Sequence, residues 1–177
     1  MFSLRHLFKK HKLLMVFMDE DDTEKRHELV EEVLKESDKI LYVCLNRPYA
    51  DVVQSLEHAR LPKDRFLFID VLSSYYGSPP KDEHCIFLPS PDAEAIFGAI
   101  TAAITDHHCR MIIIDTISSM LLYTPVSTVV QLTYRLQKLD TAGKVLLADT
   151  KQVPQGDLDQ LTKDLTMFVD KVVKAAR

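Results

Sequence analysis

Two groups of side chains in this sequence have the types and spacing to do chemistry at one place. The first is Asp19-Glu20-Asp21-Asp22-Thr23-Glu24-Lys25-Arg26, which directly follows the apolar run 13–18. The second is Asp115, which closes the run Met111-Ile112-Ile113-Ile114. Both runs read as buried strands, and the ends of parallel strands converge at the carboxyl edge of their sheet. Asp19, Asp21 and Asp115 are therefore candidate ligands for Mg²⁺ or Ca²⁺, hard cations that take carboxylate oxygen. The plainer expectation is a solvated acidic turn, the commoner state of such a run. A helix N-terminus after a first strand is also where a phosphate would bind. A phosphate cradle needs glycines so that backbone N–H groups can wrap the anion. This turn has no glycine and carries four consecutive carboxylates, which repel a triphosphate.

Other groupings are weaker. His84-Cys85 and His107-His108-Cys109 offer soft ligands without the paired spacing of a structural zinc site, so the thiols read as packing residues. Ser73 and Ser74, and Thr116, Ser118, Ser119 and Tyr123, follow two predicted strands. Hydroxyls there either line a ligand crevice or satisfy turn and cap backbone, and the second reading is favoured. Tyr75 and Tyr76 stand in a loop punctuated by Gly77, Pro79 and Pro80, where exposed aromatics serve as contact anchors for a partner.

The elements that must position these groups alternate with little ambiguity. Predicted helices cover 23–37, 49–59, 92–105, 126–139 and 158–165, with Gly143 ending the fourth. Predicted strands cover 13–18, 40–45, 65–70, 85–88, 110–115, 144–149 and 167–173. Strands that are apolar throughout, as at 40–45, imply a parallel sheet covered on both faces. The expected architecture is α/β: three layers, α/β/α, around a mainly parallel sheet. The 177 residues fit one domain spanning 1–177, with a basic lead-in segment at 1–12.

Composition excludes several classes. A net charge of −4 argues against a nucleic-acid partner. No apolar run approaches the roughly eighteen residues that span a bilayer. Three cysteines at unpatterned spacing suit reduced thiols and a cytoplasmic location. Residues 1–12 are basic with apolar residues at 4, 7 and 8, which reads as a short helix entering the first strand. A weak membrane or acidic-partner anchor is the alternative for that segment.

Four stretches, in their order and spacing, carry a resemblance. They are Ile40-Leu-Tyr-Val-Cys-Leu-Asn-Arg-Pro48, Arg65-Phe-Leu-Phe-Ile-Asp-Val-Leu-Ser73, Met111-Ile-Ile-Ile-Asp-Thr-Ile-Ser-Ser-Met-Leu-Leu-Tyr123 and Leu165-Thr-Met-Phe-Val-Asp-Lys-Val-Val173. Together they resemble the RecA/KaiC-like ATPase family, a P-loop NTPase type of fold, over nearly the whole chain. The resemblance makes Asp115 the Walker B carboxylate. It makes Thr23, Lys25 and Arg26 the nearest substitutes for the phosphate-binding residues. Asn46 and Arg47 stand where the family carries its catalytic glutamates, and neither acts as a general base at neutral pH. Thr23, Lys25, Arg26, Asn46, Arg47 and Asp115 are thus a vestigial nucleotide site, with no catalytic residue. The implied function is a catalytically inactive domain acting as a protein-binding, regulatory or scaffold subunit, with a protein partner or a second copy and no cofactor. The alternative is a sensor or weak ATPase that binds ATP and Mg²⁺ in the same crevice.

Overall fold

The computed structural model describes residues 5–18, 22–79, 81–149, 151 and 153–174. Seven strands form one sheet: β1 (Leu13–Phe17), β2 (Ile40–Cys44), β3 (Phe66–Asp70), β4 (Cys85–Phe87), β5 (Met111–Asp115), β6 (Gly143–Ala148) and β7 (Lys171–Lys174). Their spatial order is β4-β3-β2-β5-β6-β1-β7, and every pairing is parallel. Strands β2, β3, β5 and β6 are buried at every position, so both sheet faces must be covered. The helices do this as α1 (Arg5–Phe8), α2 (Thr23–Leu34), α3 (Tyr49–His58), α4 (Ala93–His107), α5 (Val126–Lys138) and α6 (Gln155–Leu165). This is the expected three-layer α/β/α arrangement.

The strand period of two sorts the core into two halves. Leu14, Val16, Tyr42, Phe66, Phe68, Met111, Ile113 and Leu147 face one way, under Leu29, Val30 and Val33 of α2 and Val52 and Leu56 of α3. Met15, Leu41, Val43, Ile112, Ile114 and Leu146 face the other, under α4, α5 and α6. Chain order makes α2 cross from β1 over β6 and β5 to reach β2. From its first turn Arg26 reaches Asp115 at the carboxyl end of β5.

Helix α2 stops at Leu34, short of 37, helix α4 runs on to His107, and three further boundaries differ for reasons set by neighbouring elements. Gly143 opens β6 and does not end α5, which stops at Lys138 with Leu139 extended (ψ 133°). The glycine is there for close approach: a Cβ would lie 2.7 Å from the Phe8 ring and 2.9 Å from the end of Met111. Helix α6 starts at Gln155, earlier than 158, because Pro154 supplies a preset φ just before it and Asp157 suits the first turn. Strand β7 is shorter than 167–173 and begins at Lys171. Asp170 takes the backbone N–H groups of Lys12 (2.7 Å) and Leu13 (2.9 Å), which sets the start of β1.

Within the described part of the lead-in segment, Leu7 and Phe8 pack against the α2/α3 side of the core. Gly143→Ala is expected to cost about 1–3 kcal/mol, the usual range for overpacking, in a urea unfolding titration. Pairing it with Phe8→Leu should recover part of that loss, because the ring is the nearest obstruction.

Candidate functional site

Asp115, Cys44 and Asp70 are register partners across β5, β2 and β3, and so share the sheet face under α2 and α3. Each aspartate ends a strand, yet neither is open to solvent: Asp115 is 1% exposed and Asp70 is 0%. What satisfies each carboxylate decides what it can do.

Asp70 is held by its own chain. It accepts from the N–H groups of Leu72 (2.6 Å), Ser73 (2.9 Å) and Tyr49 (2.6 Å) and from the Ser73 hydroxyl (2.6 Å). These bonds tie the turn after β3 to the start of α3. They also fix the base of the loop that carries Tyr75 and Tyr76.

Asp115 is held by charge. Oδ1 accepts from Arg26 Nη1 and from the Thr116 hydroxyl (2.9 Å); Oδ2 accepts from the Tyr42 hydroxyl and from Arg47 Nη2 (3.2 Å). Arg26 is 3% exposed, because α2 presses its first turn onto the sheet here. Tyr42 is set by aromatic packing, with its ring 5.9 Å from Phe68 and 6.4 Å from Phe66. Burial works to raise the Asp115 pKa, but the attraction of Arg26 and Arg47 and the bonds from Tyr42 and Thr116 outweigh it and hold it below the ordinary value. The Tyr42 hydroxyl is pushed well above its usual range by burial and then by the Asp115 charge. At neutral pH the site is one carboxylate between two guanidiniums, with Tyr42 a neutral donor.

The predicted residues divide accordingly. Arg26, Arg47 and Asp115 come together directly, and Asn46 is half-buried beside Arg47 in the chain. Lys25 ion-pairs with Asp22, whose carboxylate also caps α2 by accepting from the Lys25 N–H at 3.2 Å. Thr23 is exposed at the start of that helix. Asp19 and Asp21 lie outside the described residues. Among the described residues, no group of three or more His, Cys, Asp or Glu side chains is placed to hold a metal ion. Ser118 and Ser119 are turn residues, as favoured. The Ser118 hydroxyl takes the Asp149 N–H (3.0 Å), and that of Ser119 donates to the Thr116 carbonyl (2.6 Å). Tyr75 and Tyr76 are 58% and 86% exposed, so neither folds back onto the domain.

Sequence reasoning missed Tyr42 and His27. A tyrosine inside an otherwise aliphatic strand was the available signal, since a buried phenol needs a partner. His27 on α2 shares a 2.8 Å hydrogen bond with Ser55 on α3. Burial lowers its pKa, with Arg47 and Arg26 adding to the effect.

No protein-family model matches the sequence, and neither does any curated protein. Solved structures do match. One is an uncharacterised protein, PH0321, from Pyrococcus horikoshii, solved in complex with an unknown peptide. It is 13% identical with a TM-score of 0.67, over 99% of this chain and 85% of that one. Another is the KaiC-like protein PH0186 from Pyrococcus horikoshii OT3, 14% identical with a TM-score of 0.60, over 85% of this chain and 69% of that one. The fold is that of KaiC-like, RecA-like domains. In that frame Asp115 stands at the end of the central strand β5, and its charge is taken up by the protein's own arginines.

Two expectations follow. Arg26→Ala should destabilise the domain by about 3–5 kcal/mol in urea unfolding, the range for removing one partner of a buried pair. Arg47→Ala should cost less, because Arg47 is 22% exposed. Stability should also fall on acidification in two steps. A His27 pKa below the unfolded value of about 6.5 means that the unfolded chain takes up the proton first, so stability is full above that pH and declines beneath it. The depressed Asp115 adds a second decline below about pH 3.9. Urea midpoints at pH 7.5 and 5.0 should differ less in His27→Gln than in the parent.

Proposed function

We propose that this chain is a non-catalytic KaiC/RecA-like domain that works as a protein-binding, regulatory or scaffold subunit in the cytoplasm. The observation that carries the reading is the pairing of Asp115 with Arg26 and Arg47. A carboxylate that is to hold Mg²⁺ with a phosphate must be free to offer oxygen to the metal. Here both oxygens are engaged by four donors, and freeing them would strand a buried charge. The neighbouring turn lacks the glycines of a phosphate cradle, and Asn46-Arg47 supplies no general base.

The partner side of the reading rests on the carboxyl edge. Tyr75 and Tyr76 follow β3, while Leu122 and Tyr123, 54% and 51% exposed, follow β5. Large exposed side chains above a rigid sheet make anchors for a protein surface. The peptide bound to PH0321 is in keeping with such a role. The partner is a second protein or another copy of this chain.

One observation favours the alternative of a nucleotide or divalent-metal sensor. Two guanidiniums against one carboxylate leave the cluster with a net positive charge, and the Nε atoms of Arg26 and Arg47 are buried without a hydrogen-bond partner. An anion reaching the partly exposed Arg47 would meet that charge.

Thermal melts with ATP, ADP and GTP, each with and without Mg²⁺, separate the two. The expected result is no shift at millimolar ligand. A ligand at a hundredfold excess over its Kd must stabilise by about 2.7 kcal/mol, so a Mg²⁺-dependent rise in Tm would overturn the non-catalytic reading in favour of the sensor.

A further inference from the structure

At the other end of the molecule, helix α5 presents a surface that the carboxyl edge does not involve. A shallow groove of about 460 Å³ lies between α5 and the turn from α6 into β7, lined by Val130, Gln131, Tyr134, Arg135 and Phe168. Its volume is within the roughly 300–1,000 Å³ of ordinary ligand sites. The floor is almost wholly apolar, and its walls are built in place. Tyr134 meets Phe168 edge to face at 5.4 Å, and Gln137 Nε2 holds the Phe168 carbonyl at 2.8 Å. Yet Tyr134 remains 46% exposed and the preceding Met167 is 70% exposed. The rim carries cations. Arg135 stacks over Phe97 at 3.9 Å and ion-pairs with Glu94, while Lys138 lies 5.1 Å above the Tyr134 ring. Among the described residues Lys138 makes no ion pair.

We infer that this groove docks a short peptide segment of a partner protein, one with a bulky apolar anchor next to acidic residues. The inference rests on the protein-binding reading above and gives it a second surface with a stated chemistry. Shape selects the kind of occupant. A concave groove set against its own copy across a two-fold axis leaves a void, whereas a protruding segment fills it with an anchor side chain. Charge selects the flank. Lys138 offers an unneutralised ammonium at the mouth, and Arg135 shares its charge with the single Glu94. A carboxylate placed beside the anchor gains attraction from both without displacing anything buried.

The test is selection of a phage-displayed library of random twelve-residue peptides on the whole chain. Enriched peptides are then synthesised with a fluorescein label and titrated by anisotropy. Enriched sequences should share an aromatic or large aliphatic residue within three positions of Asp or Glu. Binding should weaken at least tenfold in Tyr134→Ser and in Lys138→Glu, less in Lys138→Gln, and hardly at all in Tyr75→Ser/Tyr76→Ser. Tyr134 and Lys138 are exposed, so the variants keep the fold, which a thermal melt checks. Peptides without an acidic preference, or equally tight on Tyr134→Ser, would overturn the inference. No enrichment would do the same. Peptides lost only on Tyr75→Ser/Tyr76→Ser would sink the groove and leave the protein-binding reading standing. A concentration-dependent doubling of mass that Tyr134→Ser abolishes would make a second copy the occupant and overturn the peptide.

Discussion

A carboxylate buried at the end of a central strand must be neutralised, and much of this structure is arranged around how Asp115 meets that requirement. An isolated buried charge costs far more than a domain's whole net stability, so partners have to be brought to it. They come from three elements: Arg26 from α2, Tyr42 and Arg47 from β2 and the turn after it, and Thr116 from the chain's next residue. The cluster thereby ties the helix that crosses the sheet to β5, which it passes over, and to β2, which the chain enters next.

That solution has a consequence for chemistry. In an ATP-hydrolysing site of this fold the strand-end carboxylate works with a metal and a phosphate, which are loaded and released. Here guanidiniums carried by the chain neutralise the carboxylate. Arg26 is nearly inaccessible, so exchange for solvent cations would require α2 to lift. The strand-end Asp70 is likewise consumed, by backbone N–H groups of the turn and of α3. Asp115 and Asp70, which end β5 and β3, both bond to groups of the chain itself.

Outside this cluster, two further features face solvent. They lie at opposite ends: tyrosines on the turns above the carboxyl edge, and the apolar groove beside α5. Each is mounted on a rigid base, through the Asp70 turn in one case and the Gln137–Phe168 bond in the other.

The layers and the sense of the sheet were legible in the sequence, because uninterrupted apolar strands alternating with amphipathic helices admit few other arrangements. So was the absence of glycine from the turn after the first strand, which is a fact of the sequence itself. Boundaries that depend on neighbours were not legible. Gly143 looked like a helix stop and proved to be the point where Phe8 and Met111 approach the backbone. The strand order β4-β3-β2-β5-β6-β1-β7 was likewise beyond periodicity, which says which face is buried but not which strand lies alongside. Above all, the sequence placed Arg26, Arg47 and Asp115 in one vestigial site without saying that they neutralise one another. Eighty-nine residues separate Arg26 from Asp115, and only the crossing of α2 over β5 brings the two charges into contact.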